Sequence, residues 1–110
     1  MTASAQSSGA RMTDQASSPG GALTRVFVIC NKKGLHARAS AKFVQAVEKF
    51  DAEVRVTRGT ETVGGTSIMA LMMLAAAPGT SITVEATGNE AAEVMEALAA
   101  LIASRFGEED

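Results

Sequence analysis

The sequence predicts an α+β domain with two layers, in which three helices cover one face of a single β-sheet. Two observations support this fold class. Strand-like and helix-like segments follow one another in the order β-α-β-β-α-β-α. The first, second and fourth strand segments alternate apolar and polar residues, as expected when one face of a sheet is buried and the other is wet. The apolar stripe of each helix then packs on the buried face, which gives an open sandwich.

The strand segments are marked by β-branched residues, alternation and flanking turns. The segment LTRVFVIC, residues 23–30, is rich in β-branched and aromatic residues and predicts the first strand. The alternating segments EVRVT and SITVEAT predict strands at 53–57 and at Ser81–Thr87. The turn RGTE and the short segment TETV then predict a hairpin formed by the second and third strands.

Helical spacing of apolar residues predicts the three helices. The first begins near Ala37. Thr66 is expected to cap the second, SIMALMMLA, which residues 77–79 terminate. Gly88 and Asn89 are expected to turn the chain and cap the last helix. The residues expected to face the core are Ser40, Phe43, Val44, Val47 and Phe50 in the first helix, and Val94, Leu98, Leu101 and Ile102 in the last.

Composition and length exclude several classes of protein. The 110 residues are enough for one small domain. The chain has no Trp or Tyr and a formal charge of −2, so we expect no nucleic-acid partner. It has a single cysteine, Cys30, which excludes an intramolecular disulfide, argues against a cysteine-rich metal site and is expected to be buried as a small hydrophobe.

The domain organisation predicted from the sequence has three parts. Residues 1–22 contain no large apolar side chain apart from two Met, which predicts a disordered tail. The folded domain is expected at 23–107, followed by a short acidic end at 108–110. No apolar run approaches the ~20 residues of a membrane span, and the N-terminus has no secretory pattern. We therefore expect a cytoplasmic protein that makes no contact with a membrane.

The only histidine, His36, lies in the segment NKKGLHARASAKFV. Gly34 permits a tight turn there and Leu35 can anchor it in the core, so His36 falls at the start of a helix. Unpaired N–H groups and the positive end of the helix dipole are directed at an anion in that position. The guanidinium group of Arg38 can pair with phosphoryl oxygens. The other basic residues of this segment are Lys32, Lys33 and Lys42.

These cations are expected to disfavour the protonated imidazole of His36 and to leave a nucleophilic nitrogen. The same groups would stabilise a phosphoryl group once it is attached. From the residues alone three interpretations stay open: a phosphoryl acceptor, a weak phosphate-binding site, or an ordinary histidine at a helix end.

Three segments at their proper spacing, GLHARASAKFV, GTSIMALMMLAAAPG and ITVEATGNEAAEVMEAL, resemble HPr. HPr is the histidine-containing phosphocarrier of the phosphoenolpyruvate-dependent phosphotransferase system, and the resemblance is strongest to its nitrogen-related variants. It extends over residues 23–106. It implies an HPr-like open-faced sandwich with a four-stranded antiparallel sheet and three helices on one face.

The same resemblance implies the roles of the residues around His36. It implies that enzyme I phosphorylates His36 on Nδ1, that Arg38 helps to hold the phosphoryl group, and that an enzyme IIA protein is the acceptor. Many members of the family have Pro directly after this arginine. Here the residue is Ala39, which permits a helix but does not preset its first turn.

The second helix is expected to carry a regulatory site and a partner surface. Ser67 matches the serine that a bifunctional HPr kinase/phosphorylase modifies in some bacteria, although serine is also common at helix starts. The helix has more apolar residues than one buried stripe can hold, so some are expected to be exposed. The residues expected to contact partners are Ile68, Met69, Met72 and, in the basic rim, Lys42.

The sequence therefore predicts a phosphocarrier, a monomer with no cofactor and no metal. It is a relay protein rather than a stand-alone enzyme, because it has no second acid–base residue and no metal-ligand set of its own. The first alternative is a regulatory module whose phosphorylation state controls the proteins that it binds. A ferredoxin-like domain for a ligand or RNA is the second alternative. The extra C-terminal helix and the few aromatic residues disfavour it.

Overall fold

The predicted order of strands and helices is confirmed by the computed structural model, which describes residues 22–108. The strands are β1 (Leu23–Val28), β2 (Glu53–Arg58), β3 (Glu61–Gly64) and β4 (Ser81–Thr87), and the helices are α1 (Ala37–Glu48), α2 (Ile68–Met73) and α3 (Ala91–Ala103). A 3₁₀ turn, Arg105–Gly107, follows α3. Apart from Ala22, the segment expected to be a disordered tail lies outside the described residues.

The four strands form one antiparallel sheet in the order β1-β4-β2-β3. The central strands β2 and β4 alternate as predicted: Val54 and Val56 of β2 are buried, and so are Ile82, Val84 and Ala86 of β4. Val56 lies directly opposite Val84, so both strands present apolar side chains to the same face. The helices cover that face, which confirms the open-faced two-layer sandwich.

The edge strand β1 is shorter and more exposed than the sequence predicts. It ends at Val28, two residues before Cys30, and Val26 and Val28 lie on the open face with 64% and 55% of their surface exposed. The expectation that Cys30 is buried is wrong. Cys30 follows the strand in an exposed position, and its thiol donates a hydrogen bond to the carbonyl of Ile102 at 3.2 Å.

Helices α1 and α3 pack along the sheet through the residues that helical spacing identifies. Phe43 and Val47 of α1 and Val94 and Leu98 of α3 are almost completely buried. Burying a side chain of this size contributes about 1.5–3 kcal/mol relative to leaving it exposed. Two predicted core residues, Phe50 and Leu101, are only partly buried. Met95, which was not among the predicted core residues, is buried.

Helix α2 is shorter than predicted and begins with a different cap. Ser67, not Thr66, is the N-cap, and its hydroxyl accepts a hydrogen bond from the N–H of Ala70 at 3.2 Å. The helix ends at Met73 rather than near residues 77–79. The helix is interrupted at Ala75, which has φ +53°, and the residues on either side of it, Leu74 and Ala76, are both buried in the core.

The expected capping role of Asn89 is also wrong. The N-cap of α3 is Glu90, which makes no side-chain capping bond. The Asn89 amide instead donates to the carboxylate of Asp51 at 2.9 Å, and the Glu90 carboxylate accepts from the backbone N–H of Asp51 at 2.7 Å. Both side chains therefore tie the β4–α3 turn to the loop after α1. In residues 22–108, none of the helices has the length and apolar character needed to cross a membrane.

Candidate functional site

His36 is the residue that caps the N-terminus of α1. Its backbone is extended (φ −78°, ψ −176°), and its carbonyl accepts a hydrogen bond from the N–H of Ser40 at 2.8 Å. Ring nitrogen Nδ1 accepts from the backbone N–H of Arg38 at 3.2 Å. A histidine thus takes the place that Ser, Thr, Asp or Asn usually holds. Its Nδ1 lies at the end of the helix where N–H groups have no carbonyl partners.

The loop before His36 is fixed by a close approach to the segment after α2. Leu35 is buried, and its N–H donates to the carbonyl of Ala76 at 3.0 Å. Gly34 has φ +68°, and a Cβ at this position would lie 2.4 Å from the same carbonyl oxygen. Glycine is required here for both conformation and space. The N–H of His36 then donates to the carbonyl of Gly34 at 2.9 Å, which sets the direction of the ring.

The second ring nitrogen of His36 contacts the carboxylate of Glu108, a residue that the sequence did not identify as part of the site. Nε2 lies 2.5 Å from Oε2 of Glu108, and the amide of Asn31 donates to the same oxygen at 2.8 Å. Glu108 was expected to belong to a short acidic end after the last helix. It is separated from His36 by 72 positions in the chain, so no local pattern could have identified the contact.

The charges around His36 therefore differ from the expected cluster of cations alone. The hydrogen bond from His36 holds the pKa of the Glu108 carboxyl below its usual value, and the bond from Asn31 acts in the same direction, while desolvation opposes both. An ionised carboxylate can only accept hydrogen bonds, and both groups that face it can donate. Because Nδ1 accepts from Arg38, the proton of a neutral His36 ring lies on Nε2, next to the carboxylate.

Basic side chains surround the ring in a cleft of about 330 Å³. Lys32, Lys33 and Arg38 are exposed at this cleft, and within residues 22–108 no carboxylate forms an ion pair with any of them. Lys42 also lines the cleft, but its Nζ donates to the carbonyl of Phe106 at 2.6 Å. Lys42 therefore holds the C-terminal segment, whereas the other three cations remain available to an anion.

Ser67 and the apolar residues of α2 lie outside this cleft. The C-terminal end of α2 leads into residues 75–78, which line a second cleft beside His36, whereas Ser67 lies at the opposite end of the helix. The helix exposes apolar side chains while Leu71 and Leu74 fill the core. We refer to these exposed residues as the α2 patch: Ile68 (39% exposed), Met69 (70%), Met72 (39%) and Met73 (75%).

An open sandwich with a histidine at a helix N-terminus, ringed by free cations, defines a class of small protein suited to carrying a phosphoryl group. Comparison with known proteins is consistent with this class. Residues 23–104 match the family PTS-HPr, described as "PTS HPr component phosphorylation site". Phosphocarrier protein HPr of Neisseria meningitidis is 56% identical over 80 residues, which is 73% of this chain and 90% of the relative.

Two further comparisons extend the similarity. Phosphocarrier protein NPr of Shewanella violacea is 37% identical over 78% of this chain and 94% of its own length. The crystal structure of HPr from Thermoanaerobacter tengcongensis is 39% identical, with a TM-score of 0.76 over 80% of this chain and 99% of that one. The chain belongs to the HPr family of phosphocarrier proteins of the phosphotransferase system. The identity to the Neisseria HPr exceeds that to the Shewanella NPr, so these two comparisons do not single out the nitrogen-related variants.

Replacing Gly34 by Ala tests the close approach that orients His36. Gly59 provides a matched control, because its φ is +62° and no atom lies within 4 Å of a Cβ built there. Gly59→Ala should lower the free energy of unfolding by about 1–2 kcal/mol through backbone strain alone. Gly34→Ala should lower it by more, because the added methyl group also collides with the Ala76 carbonyl. Urea unfolding measures both, and equal losses would contradict the steric argument.

The lowered pKa of Glu108 predicts a pH dependence of stability. Since ionisation is easier in the folded state, the carboxylate stabilises the fold above its ordinary value of 4.5, and this contribution is lost as the pH falls through the lowered pKa. Wild type should therefore unfold at higher urea concentration than Glu108→Gln at neutral pH, and the difference should shrink in acid. A difference that is independent of pH would show that the charge of Glu108 has no part in it.

Proposed function

We propose that His36 is the phosphoryl acceptor of this phosphocarrier. It takes a phosphoryl group that originates on phosphoenolpyruvate from enzyme I and passes it to an enzyme IIA protein in the cytoplasm. The observation that carries the proposal is the position of Nδ1. This nitrogen has its lone pair at the N-terminus of α1, where it accepts from the Arg38 N–H. The His36 ring lines the same cleft as the side chains of Lys32, Lys33 and Arg38.

In the transfer step, the Nδ1 lone pair forms a bond to phosphorus while the bond from phosphorus to the donor breaks. The protein takes part in little covalent chemistry beyond this bond, so most of the catalysis comes from positioning the reacting groups and from electrostatic stabilisation of the phosphoryl oxygens. The N–H groups of the first turn of α1 stabilise the phosphoryl oxygens, and the guanidinium of Arg38 pairs with them. The long Arg38 N–H···Nδ1 contact is given up when phosphorus takes its place.

Ala39 is compatible with this role. It is completely buried in the first turn of α1 and the helix continues through it without a break. Proline at this position would lack an N–H group. Alanine keeps one, and the first turn of a helix has no carbonyl partner for it. The loss of a preset turn is thus accompanied by the gain of one more donor near the phosphoryl group.

The α2 patch is proposed as the surface that docks enzyme I and the acceptor, with the protein acting as a monomer. Exposed Met side chains adapt to more than one partner because they are flexible and polarisable. Free cations at the His36 cleft speed encounters with acidic partner surfaces. Lys42 has a smaller part in this docking than Lys32 and Lys33, because its ammonium group already donates a hydrogen bond to the carbonyl of Phe106.

Ser67 is proposed as a regulatory phosphorylation site for an HPr kinase/phosphorylase. It is exposed and precedes Ile68 and Met69 of the patch. A phosphate at a helix N-terminus is favourable for the helix itself. It also adds close to two negative charges to a surface that acidic partners approach. Modification would therefore block docking without unfolding the domain.

The experiment that tests the phosphoryl acceptor uses enzyme I, Mg²⁺ and labelled phosphoenolpyruvate. Wild type should acquire an acid-labile, base-stable label, as expected for a phosphoramidate, and His36→Ala should acquire none. Circular dichroism checks that the variant is folded. A label that persists on folded His36→Ala would overturn the assignment. Transfer of the label to enzyme IIA must vanish in His36→Ala, whereas control of a target protein by binding alone would survive the substitution. Measuring both in parallel distinguishes the relay from a regulatory module.

Ser67→Asp tests docking at the patch, because Asp is also a good N-cap and should preserve α2. Like charges at an interface cost several kcal/mol, so phosphorylation by enzyme I should lose about tenfold or more in kcat/KM. Ala92→Asp is the control, since it adds the same charge at the exposed first turn of α3. Equal rates for the two variants would show that Ser67 is not at the docking surface.

A further inference from the structure

The C-terminal turn after α3 has an unusual backbone. Arg105 and Phe106 have φ values of +58° and +56°, in the left-handed region that residues with a Cβ rarely occupy, and Gly107 follows with φ +72°. Consecutive residues in this region are strained unless the surroundings hold them there. The chain therefore adopts this turn because its contacts require it.

Several contacts hold the turn in place. The Phe106 side chain is 1% exposed, and its carbonyl accepts from Lys42 Nζ at 2.6 Å. The N–H of Gly107 donates to the carbonyl of Ser104 at 3.0 Å, and the N–H of Glu108 donates to the carbonyl of Arg105 at the same distance. The buried Phe106 ring fixes the turn in the core, and the hydrogen bond from Lys42 joins the turn to α1. The side chain that follows Phe106, after Gly107, is that of Glu108.

The turn delivers the Glu108 carboxylate to His36, and Asn31 fixes it there. Asn31 is completely buried, and its amide nitrogen donates to Glu108 Oε2 and to the carbonyl of Gly34, both at 2.8 Å. Both partners can only accept, so the orientation of the amide is determined. Its own carbonyl oxygen has no partner within residues 22–108. The Asn31 amide nitrogen thus gives a hydrogen bond to the Glu108 carboxylate and to the Gly34 carbonyl, while the Asn31 side-chain oxygen stays unpaired.

Both nitrogens of the His36 ring are therefore engaged by groups from different parts of the chain. Nδ1 accepts from the N–H of Arg38, and Nε2 faces the Glu108 carboxylate. A carboxylate at one imidazole nitrogen selects the tautomer with the proton on that nitrogen and leaves the lone pair on the other. The lone pair then lies on the nitrogen that is directed at the anion-binding end of α1.

We propose that Glu108 is a positioning residue for phosphoryl transfer at His36; the inference rests on the proposed role of His36 as the acceptor. The Glu108 carboxylate holds the proton on Nε2 and so keeps the lone pair on Nδ1, where only the 3.2 Å contact with the Arg38 N–H occupies it. When the Nδ1–phosphorus bond forms, the bond from phosphorus to the donor breaks and its electron pair leaves with the donor. No proton leaves the ring. The ring becomes positively charged, and the carboxylate at Nε2 compensates that charge.

The test combines a spectroscopic and a kinetic measurement on the full chain. The ¹⁵N chemical shifts of the His36 ring report its tautomer without any phosphoryl donor. Wild type should show a protonated Nε2 and a bare Nδ1, and Glu108→Ala should show a mixture of tautomers. Phosphorylation of Glu108→Ala by enzyme I should be about 10- to 100-fold slower in kcat/KM, as for other groups that orient a reactive ligand. Glu108→Gln keeps a hydrogen-bond acceptor and should lie between the two.

Two further variants separate positioning from general effects of charge or folding. Glu96→Ala removes a surface carboxylate that lies 3.7 Å from Arg25, and it should match wild type in tautomer and rate. Lys42→Met releases the carbonyl of Phe106 and should shift the tautomer in the same direction as Glu108→Ala. Lys42→Met also keeps the proposal testable if Glu108→Ala does not fold.

The outcomes for Glu108 and for His36 are distinguishable. A wild type that accepts no label contradicts the acceptor role itself. A wild type that is labelled, together with a folded Glu108→Ala of wild-type tautomer and rate, overturns the positioning role alone. A slower rate with an unchanged tautomer overturns the claim that Glu108 holds the proton on Nε2.

Discussion

The geometry of the site depends on the close approach of two loops, in which the turn at Gly34 meets the carbonyl of Ala76. This contact joins the chain before α1 to the chain after α2, and the Leu35 side chain fills the core beneath it. The position of His36 at the start of α1 follows from it. A reactive side chain on a loop needs such a constraint, because the loop has no sheet or helix hydrogen bonds to fix it.

The electrostatics of His36 balance two opposing requirements. The proposed phosphoryl transfer needs a lone pair on one ring nitrogen, and it would leave a positive charge on the ring that has to be compensated. The structure separates the two along the ring. A backbone N–H of the first turn of α1 is at the Nδ1 side, and a carboxylate is at the Nε2 side. Because the ring lies between the two nitrogens' partners, the carboxylate and the proposed phosphoryl group do not compete for the same position.

Local patterns in the sequence predict the elements of this fold well and their ends less well. Periodicity identifies the core residues Phe43 and Leu98, because the same apolar stripe both forms the helix and buries it. The end of α2 is set instead by long-range packing of Leu74, and the exposure of Cys30 by the end of an edge strand. At the site, the Gly-Leu-His sequence predicts the helix cap. The contact between Glu108 and Nε2 could not be predicted from local sequence either, because Glu108 approaches His36 only in the folded chain.

The open face of the sheet has a practical value for studying this protein. Positions 24, 26, 28, 83 and 85 alternate outward along β1 and β4, and Val26 and Val28 are largely exposed there. The cleft and the α2 patch are built by helices and loops on the other layer. A fluorophore or spin label at Val26 would therefore lie on the open face of the sheet, away from the cleft and the α2 patch. It could report on binding at those surfaces without being part of the contact.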